Sequence, residues 1–152
     1  MRCAKRSRCT SPIRRGPERD PTSEEQVDAS LESRLTSLRA VWDAYQRGDE
    51  DGDEDHGTFD EYALAFDYVE AGTFGDQREG FFRYQISTGG PGEEFRFFAD
   101  AGRSVHRVEF WRLDWFDGAC RVLAGDDLAL LMGVWEFFAE VGSVEHLISE
   151  GA

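Results

Sequence analysis

From Thr22 onward the apolar positions follow first a helical and then a strand-like rhythm. In "TSEEQVDASLESRLTSLRAVWDAYQRG", Val27, Leu31, Leu35, Leu38, Val41, Trp42 and Tyr45 recur at spacings of three and four. That spacing predicts one buried stripe on a first helix. Thr22 or Ser23 can cap it, the early glutamates suit its positive end, and Gly48 closes it. "TFDEYALAFDYVEA" then alternates, which places Tyr62, Leu64, Phe66 and Tyr68 on one face of a first strand.

Three more strands follow. "FFRYQIST" sets Phe82, Tyr84 and Ile86 against Phe81, Arg83 and Gln85, "EEFRFFA" is the third strand, and "SVHRVEFWRLDWF" the fourth. In the fourth, Val108 and Phe110 share one face, and Trp111 and Leu113 the other. Glycine-bearing "AGTFGDQREG", "GGPG" and "DAGR" supply the turns between them. A last helix begins near Gly125, with Asp126 and Asp127 in its first turn. Its main stripe is Leu128, Leu131, Met132, Trp135, Phe138 and Ala139, but Leu130, Val134 and Phe137 fall outside it, so the helix is expected to be buried nearly all round. "SVEHLI" can dock Val144, Leu147 and Ile148 after it.

Short connections between successive strands favour a meander, and the helical stripes need a sheet face to cover. The expected fold is therefore α+β: a four-stranded antiparallel sheet packed with an N-terminal and a C-terminal helix. Residues 22–152 form its single domain, interrupted by an acidic loop at 48–57, and residues 1–21 are expected to be a disordered basic leader.

Charge sharpens that division. The chain of 152 residues carries a formal charge of −14, but residues 1–20 hold seven basic side chains against Glu18 and Asp20. Without that leader the charge is −19. A body so acidic repels nucleic acid and anionic membrane, and attracts basic protein surfaces through a field that salt weakens. No apolar run is long enough to span a bilayer, and the leader lacks the apolar centre of a secretory signal. Pro12, Pro17 and Pro21 spoil an amphipathic targeting helix. Cys3, Cys9 and Cys120 imply no disulfide framework, so a cytoplasmic setting is expected.

Little in the chain has the spacing of a reactive centre. "GDEDGDEDHG" packs six carboxylates into Asp49–Asp55, yet an EF-hand started at Asp51 meets His56 where glycine belongs and Tyr62 at the closing position. Started at Asp49, it meets Glu54 and Asp60 there. The stretch reads instead as a solvated, flexible spacer that adds to the negative field. His56, His106 and His146 are too scattered to share a zinc ion. Phosphate-binding and nucleophile-elbow motifs are missing. No metal, cofactor or catalytic residue is expected; the best enzymatic reading is a small hydrolase using Asp114 and Asp117, whose aromatic neighbours could raise their pKa values.

An interaction surface uses more of the chain. Carboxylates on one strand face repeat at about 6.6 Å and i,i+4 neighbours on a helix at about 6 Å, so a folded acidic surface can imitate the charge of a nucleic-acid backbone. The candidate partner-binding residues are Asp67, Glu70, Asp76, Glu79, Glu93, Glu94, Asp114, Trp115, Phe116 and Asp117, with the aromatics as anchors within a charged rim.

At "YALAFDYVEAGTFGDQREGFFRYQISTGGPGEEFRFF" and "VEFWRLDWFDGA" the chain resembles small proteins carried by bacterial phages and plasmids, and more broadly the acidic anti-CRISPR and anti-restriction proteins. The resemblance covers residues 60–140 and rests on the order of motifs such as F-R-Y-Q, S-T-G-G-P and L-D-W-F-D-G. It implies an inhibitor of a host nuclease, or of a complex that recruits one, acting by occlusion of a basic nucleic-acid site. It brings no catalytic residues. An immunity protein that neutralises a toxin nuclease would follow the same charge logic.

Overall fold

The computed structural model describes residues 4–5, 22–75, 77–88, 91–114 and 117–151, with the backbone alone for 4–5 and 148–151. The first helix, α1, spans Ser23–Gln46. Thr22 is its N-cap: the Thr22 hydroxyl accepts the Glu25 N–H at 3.3 Å, and the Glu25 carboxylate accepts the Thr22 N–H at 3.4 Å. This reciprocal box satisfies two backbone donors that a helix start leaves without partners. The expected stripe is buried from Val27 to Trp42, but Tyr45 at its end is 44% exposed.

The alternation assigned to Tyr62–Tyr68 is only partly a strand. Phe59–Tyr62 is a short helix, α2, with Asp60 and Glu61 in its first turn, and β2 begins only at Ala65 and runs to Val69. The Tyr62 hydroxyl lies 2.6 Å from the Ser37 hydroxyl and donates to the Arg34 carbonyl at 3.1 Å, which ties α2 to α1. Burial pushes the Tyr62 phenol pKa up. Leu64, expected on one strand face with Tyr62, Phe66 and Tyr68, precedes β2 and is 61% exposed.

The sheet then follows the chain: β3 (Phe81–Ser87), β4 (Gly92–Ala99), β5 (Val105–Asp114) and β6 (Asp117–Val122). With β2 they make five antiparallel strands in the order β6-β5-β4-β3-β2, and a two-residue strand, β1 (Ala4–Lys5), pairs parallel with the outer side of β6. The expected sheet had four strands. The fifth is β6, because "DGACRV" is not only a strand end: Asp117 pairs back onto Asp114, and Cys120 onto Trp111. The basic leader, apart from Ala4–Lys5, lies outside the described residues, as do Asp76, Gly89, Gly90, Trp115 and Phe116.

Register decides which side chains meet. On the inner face, Phe82 pairs with Phe97 and Phe97 with Val108; Tyr84 pairs with Phe95 and Phe95 with Phe110. All six are at most 4% exposed. α1 covers this face together with α3 (Gly125–Glu140), and α4 (Ser143–Gly151) adds Val144 and Leu147. Leu130, Leu131, Val134 and Trp135 of α3 are buried, while Leu128, Met132, Phe137 and Phe138 pack at the core margin, so α3 is apolar over most of its circumference. Trp135 meets Phe82 and Phe97 with ring centroids 5.0 and 5.4 Å apart.

Candidate partner-binding surface

The outer face of the sheet carries several of the candidate carboxylates, and register sets an arginine beside most of them. One cross-strand row reads Asp67, Arg83, Arg96, Glu109 from β2 to β5. Arg83 donates to both Asp67 oxygens, at 2.9 and 2.6 Å, and this pairing raises the Arg83 pKa. Arg96 donates to Glu94 at 2.7 Å. Its guanidinium also lies over the rings of Trp111 and Phe81, 4.0 and 4.4 Å from their centroids. Glu94 is 3% exposed and Arg96 7%, so this charge is enclosed rather than presented.

Glu79 and Glu109 share Arg107, at 3.2 and 2.9 Å, while that guanidinium stacks on Phe98 at 4.0 Å. Glu93 turns to the helical side, where it accepts two bonds of 3.1 Å from Arg34 and raises the Arg34 pKa. Asp117 serves α1, accepting the Ser23 N–H at 2.6 Å. The neighbouring Arg121 meets Asp28 at 3.2 Å and Glu24 at 3.0 Å; burial works against its charge, but the two carboxylates outweigh it and its pKa rises. Glu70 is exposed, and Asp114 is half-buried opposite Asp117. The structure therefore does not gather the seven described candidates into one open patch. Asp67, Glu79, Glu93, Glu94 and Asp117 have partners within the protein.

Among the described residues, seven of the ten arginines beyond Pro21 are in ion pairs: Arg34, Arg39, Arg83, Arg96, Arg103, Arg107 and Arg121. Carboxylates outside these ion pairs are concentrated elsewhere. Between Asp43 and Glu61 the chain has nine acids against Arg47. All are exposed except Asp53, which is half-buried, and among the described residues none is in an ion pair.

Residues 48–57, expected to be a solvated, flexible spacer, form consecutive turns. The Asp49 carboxylate accepts the Asp51 N–H at 3.3 Å, and the Asp53 carboxylate accepts the Asp55 and His56 N–H groups at 3.1 Å each. Short acidic side chains capture nearby backbone donors in this way and so fix turns. Asp53 and Gly57 exchange backbone bonds of 2.8 and 2.9 Å. Gly52 permits the closure: its φ is +76°, and a Cβ there would fall 2.3 Å from the Gly57 carbonyl oxygen. Glu50, Asp51, Glu54 and Asp55 remain exposed around this shaped loop. Among the described residues, no group of three His, Cys, Asp or Glu is placed to hold a metal ion.

An aromatic cluster lies beneath. Tyr45 stacks on Trp42 at 5.6 Å and meets Phe59 and Phe137 at 5.5 and 5.4 Å. A half-exposed, rigidly packed tyrosine within an acidic rim is the arrangement of an interface anchor. Sequence reasoning missed Tyr45 because its spacing continues the buried stripe; the one signal was its place in the last turn, beside Gly48. No family model, curated protein or solved structure matches the chain. Among the described residues, no helix is long and apolar enough to cross a membrane.

Proposed function

We propose that this chain is an acidic binding protein that inhibits a nucleic-acid-binding protein complex by occupying its basic site, in the manner expected of anti-CRISPR and anti-restriction proteins. The observation that carries this reading is the folded acidic segment from Asp43 to Glu61, whose carboxylates lack internal cations while most arginines are spent elsewhere. Attraction to a basic groove would come from these uncompensated charges, and holding from Tyr45 and its neighbours. Asp67, Glu79, Glu93 and Glu94 then act as scaffold, and exposed Glu70 adds to the field.

The test is an affinity capture from bacterial lysate with identification by mass spectrometry, at low and at high salt. The expected result is a nucleic-acid-binding complex retained at low salt, lost at high salt, and displaced by its own DNA or RNA. Capture that is insensitive to salt, or that leaves nucleic-acid binding intact, overturns the reading.

A further inference from the structure

Strand β2 ends the sheet, and among the described residues no strand pairs with its outer side. Its backbone N–H and C=O groups on that side therefore lack sheet partners, which is the condition for a further strand to add. α4 packs against β2, with Val144 and Leu147 joining the core, but it adds no strand to this edge. Natural edges are commonly blunted by lysine, proline or a bulge. From Thr58 to Gln77 this chain has no lysine, arginine or proline, but five acids.

The edge also carries apolar surface. Among the described residues five large apolar side chains are exposed, and three lie just before this strand, on it or in the loop after it: Leu64 at 61%, Tyr68 at 36% and Phe74 at 47%. Tyr68 is held in place. Its ring packs on Phe82 at 4.9 Å, and it crosses Gly80 so closely that a Cβ there would fall 2.2 Å from the hydroxyl oxygen. An aromatic fixed by such a fit loses little freedom when a partner covers it.

We propose that β2 is a docking edge for an extended segment of a partner protein in which basic and apolar residues alternate. Backbone bonds would join the segment to β2 and its apolar side chains would cover Tyr68 and Leu64, while its cations, on the opposite face of the pleat with Asp67, would sit in the field of Asp60, Glu61 and Glu70. The charge of the edge selects the occupant, because a second copy of this chain would bring like charges together. The proposal deepens the reading of this chain as a binder of basic proteins and rests on it.

The test uses a blocked octapeptide of alternating lysine and valine, and a control of the same composition with four lysines followed by four valines. Hydrogen exchange of the full chain is read by NMR. The expected result is slower exchange confined to β2 with the alternating peptide alone. Tyr68→Lys, and separately Ala65→Lys at an exposed position of the same strand, are expected to weaken binding by about tenfold or more. Equal binding of both peptides, lost when Glu50, Asp51, Glu54 and Asp55 become amides, overturns docking at β2 and leaves the basic-partner reading standing. No binding of either peptide overturns docking at β2, and salt-insensitive lysate capture would overturn the broader reading independently. Protection of β2 without peptide, with a dimer by sedimentation, assigns the edge to self-association and overturns the proposal.

Discussion

Arg96 donates to Glu94 two residues earlier on the same strand, and both lie almost wholly out of solvent, with the Arg96 guanidinium over the rings of Phe81 and Trp111. Removing one member strands the other's charge where water cannot reach it, a loss of about 3–5 kcal/mol. Arg96→Ala is expected to show it in urea denaturation. Arg96→Met with Glu94→Gln removes both charges together, and the pair is expected to cost much less than Arg96→Ala alone.

The Tyr84 hydroxyl is buried in the core with no hydrogen-bond partner among the described residues. Leaving such a group unsatisfied costs about 1–3 kcal/mol, so Tyr84→Phe is expected to be neutral or stabilising in a thermal melt. Burial also pushes the Tyr84 phenol pKa far above its ordinary 10.0. A raised folded-state pKa contributes stability that is fully present below the unfolded value and is lost as pH rises beyond it. The protein is therefore expected to lose stability progressively above pH 10.0, and Tyr84→Phe to flatten that decline in denaturation curves taken at increasing pH.

Asp117 reaches the first turn of α1 from 94 residues away, accepting the Ser23 N–H. Asp117→Ala removes a charge-assisted bond at a helix start, expected to cost about 1 kcal/mol. Hydrogen exchange should speed up in the first turn of α1 before it does in the centre of the helix.

In the acidic turns, shape and charge are separable. Changing Glu50, Asp51, Glu54 and Asp55 to their amides relieves mutual repulsion and is expected to leave the melting temperature unchanged or raised. Association with the captured target should nevertheless slow by about tenfold or more, read by surface plasmon resonance. Gly52→Ala does the reverse: it keeps every charge but strains the closure, costing about 1–3 kcal/mol.

Much of the architecture can be read in the chain because single residues carry clear periods. The α1 stripe from Val27 to Trp42 is buried as its spacing predicts, and β3, β4 and β5 lie where Phe82, Phe95 and Phe110 mark them. β6 escapes notice because it is short and opens on Asp117-Gly118, a pair that equally ends a strand. The run from Tyr62 to Tyr68 misleads in the other direction: its alternation persists through Ala63 and Leu64, while Asp60 and Glu61 favour the helical turn that forms there. For the surface, net charge is legible but its distribution is not. Which carboxylate meets an arginine depends on cross-strand register, as with Asp67 and Arg83, and composition contains no register.

Five strands that lie side by side in the order of synthesis let the sheet zip up hairpin by hairpin as the polypeptide leaves the ribosome. The start of the first helix waits longer: Tyr62 and Glu93 hold its middle, but Asp117 and Arg121, which clasp its first turns, are among the later groups made. A nascent chain arrested before β6 would thus have most of its pleated layer but a leading helix without its clamp, and a ribosome-stalled intermediate of that length should expose the apolar stripe to chaperones.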